Sequence, residues 1–188
     1  MTDIFRQHIE QIVTLTDSEY EQVRSHFIPK KIRKFHTLIR EGDLVFDEYF
    51  VMKGCLKAYK TDEEGKDHIL QFALEEWWIS DFKALAMQTP ATINVVALEN
   101  CEMLCLAMES RERLCRDLHK MEYFFRKKTL FGYIALQQRV LSLLSSTAKE
   151  RYELLLQQYP QLFQRVPKTL IASYLGVSRE TLSRLNKS

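Results

Sequence analysis

The spacing of apolar and polar residues divides the chain into three segments. Residues 1–28 favour helices, because Thr16 and Glu19 fit a capping box just before an apolar series at helical spacing. Between about residues 30 and 108, short β-like runs alternate with turns at roughly 8–12-residue intervals. The clearest turn is TDEEGKD, in which Gly65 can supply the positive φ that a hairpin loop needs. This alternation predicts an antiparallel sandwich, roll or barrel.

The third segment, from about residue 110 onward, has a helical pattern. No proline occurs between residues 110 and 159, and the only glycine there is Gly132. The pattern predicts one long helix over roughly residues 118–137 and then shorter helices. This helix can pack on its own β-domain or form the seam of a dimer, and its position between two small domains favours the seam. The candidate seam residues, near a and d spacing, are Phe124, Phe131, Ile134 and Leu141.

The stretch PKTLIASYLGVSRETLSRLNK predicts two helices joined by a tight turn. Ala172 is small where a second helix must cross closely, and Gly176 can adopt the left-handed conformation that ends a helix. Ser178 is a favourable N-cap, and Leu182 and Leu185 lie on one face of the helix that follows. This order of residues is typical of a helix-turn-helix.

The polar face of the second helix, at residues 178–187, is rich in cations. Residues 168–188 contain four cations and one anion, a larger positive excess than the +2 of the whole chain. Arg179 and Arg184 can donate to guanine and Glu180 can accept from cytosine, so these three are candidate base readers of double-stranded DNA. The alternative is a solvated helix that closes a bundle. The candidate phosphate contacts are Lys168, Thr169, Ser178, Thr181 and Lys187.

Composition argues against several other classes of protein. The chain is 46% hydrophobic and 28% charged, which is ordinary for a globular protein. No apolar run approaches the ~20 residues of a membrane-spanning helix, and the N-terminus has no signal-peptide core. We therefore expect a cytoplasmic protein with no membrane partner and no disulfides. Cys101, Met103 and Cys105 share one face of a predicted strand and are expected to be core residues.

Catalytic and metal sites are not indicated either. A cupin-type enzyme on a β-roll would bind its metal through an H-x-H set, and the five histidines do not have that spacing. The sequence contains no P-loop and no recognisable arrangement of Ser, His and Asp. We predict no catalytic residues, no metal site and no enzyme activity.

These segments together resemble the Crp/Fnr family of bacterial transcription regulators over nearly the whole chain. SRETLSR, at residues 178–184, is the most specific part of the resemblance. In cyclic-AMP-responsive members the corresponding Arg, Glu and second Arg contact bases, which implies the same role for Arg179, Glu180 and Arg184. The resemblance also implies a homodimer that reads a palindromic site and regulates transcription, with RNA polymerase as a further candidate partner.

The fold implied by the resemblance is α+β and has three parts. An antiparallel β-roll, a double-stranded β-helix of the cyclic-nucleotide-binding type, occupies residues 1–116 together with an N-terminal helix. A long dimerisation helix and hinge occupy residues 117–146. An all-α helix-turn-helix domain occupies residues 147–188. Because the chain ends soon after the recognition helix, it resembles the short members without a wing that are common among Bacteroidetes-type bacteria.

The sequence departs from this family at the ligand cassette. Members that bind cyclic nucleotides carry Gly-Glu and, ten residues after the Glu, an Arg followed by Ser or Thr. The Glu holds the ribose and the Arg neutralises the phosphate. Here Ser80, Asp81, Ala91 and Thr92 stand at those four positions. Because no cation replaces the Arg, we predict that cyclic AMP does not bind at physiological concentration, and we expect no cofactor.

Aromatic residues flank the cassette, and they leave open whether the protein binds another small-molecule effector there. Trp77, Trp78 and Phe82 can line an apolar pocket for an unidentified small-molecule effector, or fill a cavity left by a lost nucleotide site. An Fnr-type iron–sulfur cluster is not expected, because the first cysteine is Cys55. The alternative function is an effector-sensing or protein-interaction module whose helix-turn-helix does not read DNA.

Overall fold

The computed structural model describes residues 3–185, which form two compact units. The first unit contains the described residues up to Ala58 together with Phe72–Leu130. The second contains Tyr59–Gln71 together with the described residues from Phe131 onward. This division differs from the three predicted segments, because one hairpin tip and the second half of the long helix belong to the C-terminal unit. The functional boundaries at residues 116 and 146 stay a prediction.

Helices and strands follow the three-part order expected from the sequence. The strands are β1 (Ile28–Ile32), β2 (Thr37–Ile39), β3 (Asp47–Lys53), β4 (Leu56–Thr61), β5 (Asp67–Ala73), β6 (Trp78–Ile79), β7 (Asn94–Ala97) and β8 (Cys101–Ala107). The helices are α1 (Ile4–Glu10), α2 (Asp17–Ser25), α3 (Phe82–Met87), α4 (Met108–Asp117), α5 (His119–Ser145), α6 (Ala148–Gln158), α7 (Pro160–Arg165), α8 (Lys168–Leu175) and α9 (Arg179–Leu185).

The strands form two four-stranded sheets, with the orders β1-β8-β3-β6 and β2-β7-β4-β5. β8 runs antiparallel to both β1 and β3, so that Cys105 lies opposite Ile28 on one side and Tyr49 on the other. The predicted hairpin turn lies between β4 and β5, and Gly65 there has a φ of +81°. The α+β chain with an antiparallel β-roll is therefore confirmed.

Alternation along the strands of the first sheet produces two cores in the N-terminal unit. Tyr49 and Val51 of β3 pack in an inner core between the sheets, and Cys101, Met103 and Cys105 join them as predicted. Phe50, one residue out of phase, faces the opposite way into an outer core built with α1, α2, α4 and α5. The outer core attaches the helices to the roll.

The long helix differs from its prediction in two respects. α5 extends over His119–Ser145, past the expected end at residue 137, and Thr147 then starts α6 with a capping box to Glu150. Phe124 is fully buried in the outer core, so its assignment to a dimer seam is wrong. The sequence could not show this, because an a/d pattern does not say which partner covers it.

Candidate DNA interface and ligand cassette

The first helix of the C-terminal motif ends as the sequence predicts. Gly176 follows α8 in the left-handed region, with a φ of +67°. Its N–H donates to the Ser173 carbonyl at 3.1 Å, and the Val177 N–H donates to the Ala172 carbonyl at 3.0 Å. This pair of bonds is a Schellman ending, which turns the chain sharply toward α9.

The second helix, α9, is capped at its start and anchored on one face. The Ser178 hydroxyl accepts a hydrogen bond from the Thr181 N–H at 3.2 Å, as an N-cap should. Leu182 is 2% exposed and Leu185 is half-buried, so this apolar pair holds the helix in place. The polar side chains of α9 lie on its opposite, exposed face.

The structure brings the three candidate base readers onto one surface. Arg179, Glu180 and Arg184 are exposed and line a single shallow depression together with Ser183. The pKa of Glu180 is lowered, first by a hydrogen bond from its own backbone N–H and next by the Ser178 hydroxyl, so this carboxylate is ionised and able to accept. The surface thus presents two guanidinium groups and one carboxylate acceptor together.

The candidate phosphate contacts lie at the beginnings of the two helices. Lys168 and Thr169 are exposed in the first turn of α8. Ser178 and Thr181 stand at the start of α9, where their hydroxyl groups lie 3.2 Å apart. Lys187, the fifth candidate, lies outside the described residues.

Two arginines that the sequence pattern did not single out support the end of α8. Arg139 of α5 donates to the Tyr174 carbonyl at 3.0 Å, and Arg151 of α6 donates to the Leu175 carbonyl at 2.9 Å. A cation near the C-terminus of a helix is favoured by the helix dipole. The sequence contains no clear indication of this role, because Arg139 follows two glutamines and sequence spacing does not identify its partners.

In the ligand cassette, Asp81 is committed to internal hydrogen bonds. Its carboxylate caps α3 by accepting from the Ala84 N–H at 3.0 Å, and it accepts from the Thr92 N–H at 2.6 Å and the Thr92 hydroxyl at 3.0 Å. Burial by itself would raise the pKa of this carboxyl. The hydrogen bonds to its ionised form have the larger combined effect, so the pKa is lowered. The group that would hold a ribose in the family's nucleotide binders instead ties the two ends of the cassette together.

The other cassette residues do not form a single pocket wall. Ser80 is buried and donates to the Asp47 carbonyl at 2.7 Å, while Ala91 is buried in the inner core. Trp77 packs partly buried against that core, but Phe82 is 45% exposed. Trp78 faces the outer core, because it stands one residue out of phase with Ile79 on β6. The structure therefore separates Trp78 and Phe82 from the cassette residues of the inner core.

A group of charges around one buried carboxylate, which we call the Glu48 ion cluster, lies beside Trp78 in the outer core. It consists of Glu48, which is 1% exposed, with Lys128 at 3.0 Å and Arg111 at 3.2 Å. The Lys128 ammonium also lies 3.2 Å from the centre of the Trp78 ring. Burial lowers the pKa of Lys128 to about 7, against the opposing effect of Glu48. The cluster joins β3 to α4 and α5.

Residues 3–185 contain neither a metal site nor a membrane-spanning helix. No group of three or more His, Cys, Asp or Glu side chains there has a geometry that could hold a metal ion. No helix in this part of the chain is both long enough and apolar enough to cross a membrane.

Known proteins resemble the chain in both sequence and fold. Residues 29–117 match the family model described as the cyclic nucleotide-binding domain. The anaerobic regulatory protein of Haemophilus influenzae is 24% identical over 92% of this chain and 71% of its own length. The fumarate and nitrate reduction regulatory protein of Vibrio cholerae is 25% identical over 92% of this chain and 73% of its own length.

Among solved structures, FixK2 from Bradyrhizobium japonicum superposes with a TM-score of 0.74 at 20% identity, covering 86% of this chain and 83% of FixK2. That likeness shows the same fold. The domain match and the regulatory relatives support a Crp/Fnr family regulator, and the roll, long helix and helix-turn-helix described above agree with that family.

Proposed function

We propose that the protein is a homodimeric transcription regulator that reads a palindromic DNA site with α9 in the major groove. The observation that carries this proposal is the face of α9, where Arg179, Glu180 and Arg184 are exposed together while Leu182 anchors the opposite side. The two guanidinium groups match guanine O6 and N7, and the carboxylate matches the amino group of cytosine. The regulatory names of the relatives support the same function.

The second half of α5 supports the homodimer. Contiguous exposed apolar surface of this kind marks an interaction site rather than a solvated face. To read two half-sites one turn of DNA apart, the two copies of α9 in such a dimer would have to lie about 34 Å apart. The apolar residues on this part of α5 that are between 39% and 78% exposed are Phe131, Tyr133, Ile134, Leu136, Val140, Leu141, Leu143 and Leu144.

Substitution of the base readers tests the proposal directly. Arg179→Ala and Arg184→Ala are each expected to lose about 1–3 kcal/mol of binding free energy at one cognate base pair and to relax specificity there. Lys168→Ala should instead weaken binding to all sequences and reduce the salt dependence of the affinity. Binding sites are first selected from a random duplex pool with no effector added, and affinities are then measured by fluorescence anisotropy.

A matched control for these variants is Lys149→Ala, which removes an exposed cation from α6 in the same unit. Its affinity should equal that of the native protein. Equal losses on every duplex from Arg179→Ala and Arg184→Ala would contradict base reading. A selection that enriches no sequence would favour the alternative, an effector-sensing or protein-interaction module. Neither the DNA-reading regulator nor this alternative module is proposed to be an enzyme.

The cassette geometry supports the prediction that cyclic AMP is not the effector. The carboxylate of Asp81 is already bonded to Thr92, and a small apolar side chain, Ala91, stands where the family's nucleotide binders carry an arginine. Without that arginine the cyclic phosphate has no fixed cation as a partner. We expect isothermal titration with cyclic AMP to show no binding at micromolar concentrations and the DNA affinity to stay unchanged. A micromolar dissociation constant would refute this prediction.

A further inference from the structure

The C-terminal end of α8 uses side chains from neighbouring helices to complete its hydrogen bonds. The last four carbonyls of a helix have no partner within the helix. In α8 the first two, on Ala172 and Ser173, accept from the turn that follows. The remaining two, on Tyr174 and Leu175, accept from Arg139 and Arg151. The helix end is therefore fixed to α5 and α6 as well as to its own turn.

Arg139 makes the most extensive of these contacts. Its Nη2 donates to the Tyr174 carbonyl at 3.0 Å and to the Ile69 carbonyl of β5 at 3.0 Å. Its guanidinium carbon lies 3.5 Å from the centre of the Tyr174 ring, which is a close stacking contact. One side chain on α5 thus holds both α8 and the β4–β5 hairpin, all within the C-terminal unit.

Further hydrogen bonds join α8 to β5 next to Arg139, and we call this contact region of α5, α8 and β5 the junction. The Ser173 hydroxyl of α8 donates to the Asp67 carbonyl of β5 at 2.7 Å, and the Ile69 N–H lies 3.4 Å from the same hydroxyl oxygen. Arg139 is half-buried, and this burial lowers its pKa, although an arginine stays charged. A half-buried, charged side chain that donates to two backbone carbonyls and stacks on a ring is constrained in direction.

Arg139 also lies beside the surface proposed for dimerisation. The next two residues on α5, Val140 and Leu141, are 46% and 55% exposed and belong to the proposed seam. One turn further on, the Leu143 side chain would lie 3.5 Å from a Cβ placed on Gly176, so the turn between α8 and α9 also approaches α5. The same short stretch of helix therefore carries residues of the proposed seam and also approaches the turn of the helix-turn-helix.

We propose that Arg139 is a positioning residue that fixes the angle between the dimer helix and the helix-turn-helix, and so determines which half-site spacing the dimer accepts. This inference rests on the proposed function. A rotation of α8 relative to α5 displaces α9. In a two-fold dimer about α5 the same displacement occurs in both protomers, so the distance between the two α9 helices changes by twice as much. One base pair of added spacing moves a half-site by about 3.4 Å along the DNA axis and also rotates it. A rigid junction excludes that change, and a loosened one tolerates it.

The test compares Arg139→Gln with the native dimer on three duplexes. The first is the palindrome selected by the native protein, the second has one base pair inserted between the half-sites, and the third has one base pair removed. We expect Arg139→Gln to reduce the ratio of affinities for the selected and altered spacings by about fivefold or more. The preference for the cognate bases of Arg179 and Arg184 should stay unchanged, because α9 itself is intact.

Two further variants keep the test decisive. Arg126→Gln removes an exposed arginine from the same helix, outside the junction, and should leave the spacing ratio as it is in the native protein. Tyr174→Leu removes the ring beneath the guanidinium but keeps the backbone carbonyl, and it should shift the ratio in the same direction if Arg139→Gln does not fold. Circular dichroism and thermal unfolding establish which variants are folded.

The outcomes separate this inference from the proposed function. An unchanged spacing ratio in a folded Arg139→Gln dimer overturns the inference while palindrome reading stands. The same holds for a uniform loss of affinity on all three duplexes, which would show a merely structural role. A native protein that selects no paired half-sites overturns the proposed function and this inference together.

Discussion

Replacement of Glu48 by glutamine is expected to lower the free energy of unfolding by about 3–5 kcal/mol. Glu48 is buried between Lys128 and Arg111, and it is the acidic member of the Glu48 ion cluster. The glutamine has nearly the same shape but no charge, so the Arg111 guanidinium and the protonated form of Lys128 would be left in the outer core without an anionic partner. Urea unfolding followed by circular dichroism, at one fixed protein concentration, measures the change.

The control for this variant is Glu102→Gln on β8 of the same sheet. Glu102 pairs with Lys31 at 3.1 Å, but both side chains are at least half exposed. Loss of such a surface pair is expected to change stability by at most about 1 kcal/mol. Equal effects from the two substitutions would show that burial of the Glu48 ion cluster has no energetic consequence.

The pH dependence of stability gives the cluster a second measurable property. In the folded protein the pKa of Lys128 is about 7, whereas its ordinary value is 10.5. Between these pH values the unfolded chain binds the additional proton, so the contribution of Lys128 to stability rises with pH. Glu48 raises the pKa of Lys128, and its loss should move the start of this rise below pH 7. The deficit of Glu48→Gln should therefore shrink as the pH rises to about 7 and then stay constant up to pH 10.5, because Lys128 is neutral in both folded proteins over that range.

The double substitution Ile134→Glu, Leu141→Glu is expected to convert the dimer into monomers and to weaken binding to the palindrome by about 100-fold or more. These side chains are 39% and 55% exposed and lie two turns apart on the proposed seam. Carboxylates there would be buried against their symmetry mates without partners. A monomer would bind each half-site independently, so the advantage of linked binding is lost. Analytical ultracentrifugation gives the mass, and fluorescence anisotropy gives the affinity.

A similar exposed leucine provides the control for the seam. Leu154 on α6 is 44% exposed, and Leu154→Glu should leave both the dimer and the palindrome affinity unchanged. The double variant should also bind a single half-site as the native protein does, since α9 is untouched. A double variant that remains a dimer would place the interface on another surface.

Local sequence patterns predicted the helix-turn-helix well because its determinants are short-range. The left-handed ending at Gly176, the cap at Ser178 and the buried anchor at Leu182 each depend on residues within one or two turns. The strand alternation likewise placed Cys101 and Cys105 in the inner core. Backbone preference and a period of two residues are sufficient for such predictions.

Contacts between distant parts of the chain could not be predicted in this way. Phe124 and Phe131 occupy the same position of the heptad pattern, yet Phe124 is buried in the outer core and Phe131 is 55% exposed. Trp77 and Trp78 are neighbours in sequence but face different cores. The pattern shows that a residue is apolar, but only the packed structure shows what covers it.

The sequence alone determined the order of roll, long helix and helix-turn-helix, the identity of the candidate base readers, and the absence of an arginine from the ligand cassette. The tertiary structure decided that Asp81 is bonded to Thr92, that Glu48 sits between two cations, and that Arg139 joins α5 to α8 and β5. The physical reason is the distance along the sequence between the residues that interact. Capping, turn chemistry and alternation act over a few residues, whereas these polar contacts form only after folding has brought separate elements together in a buried environment.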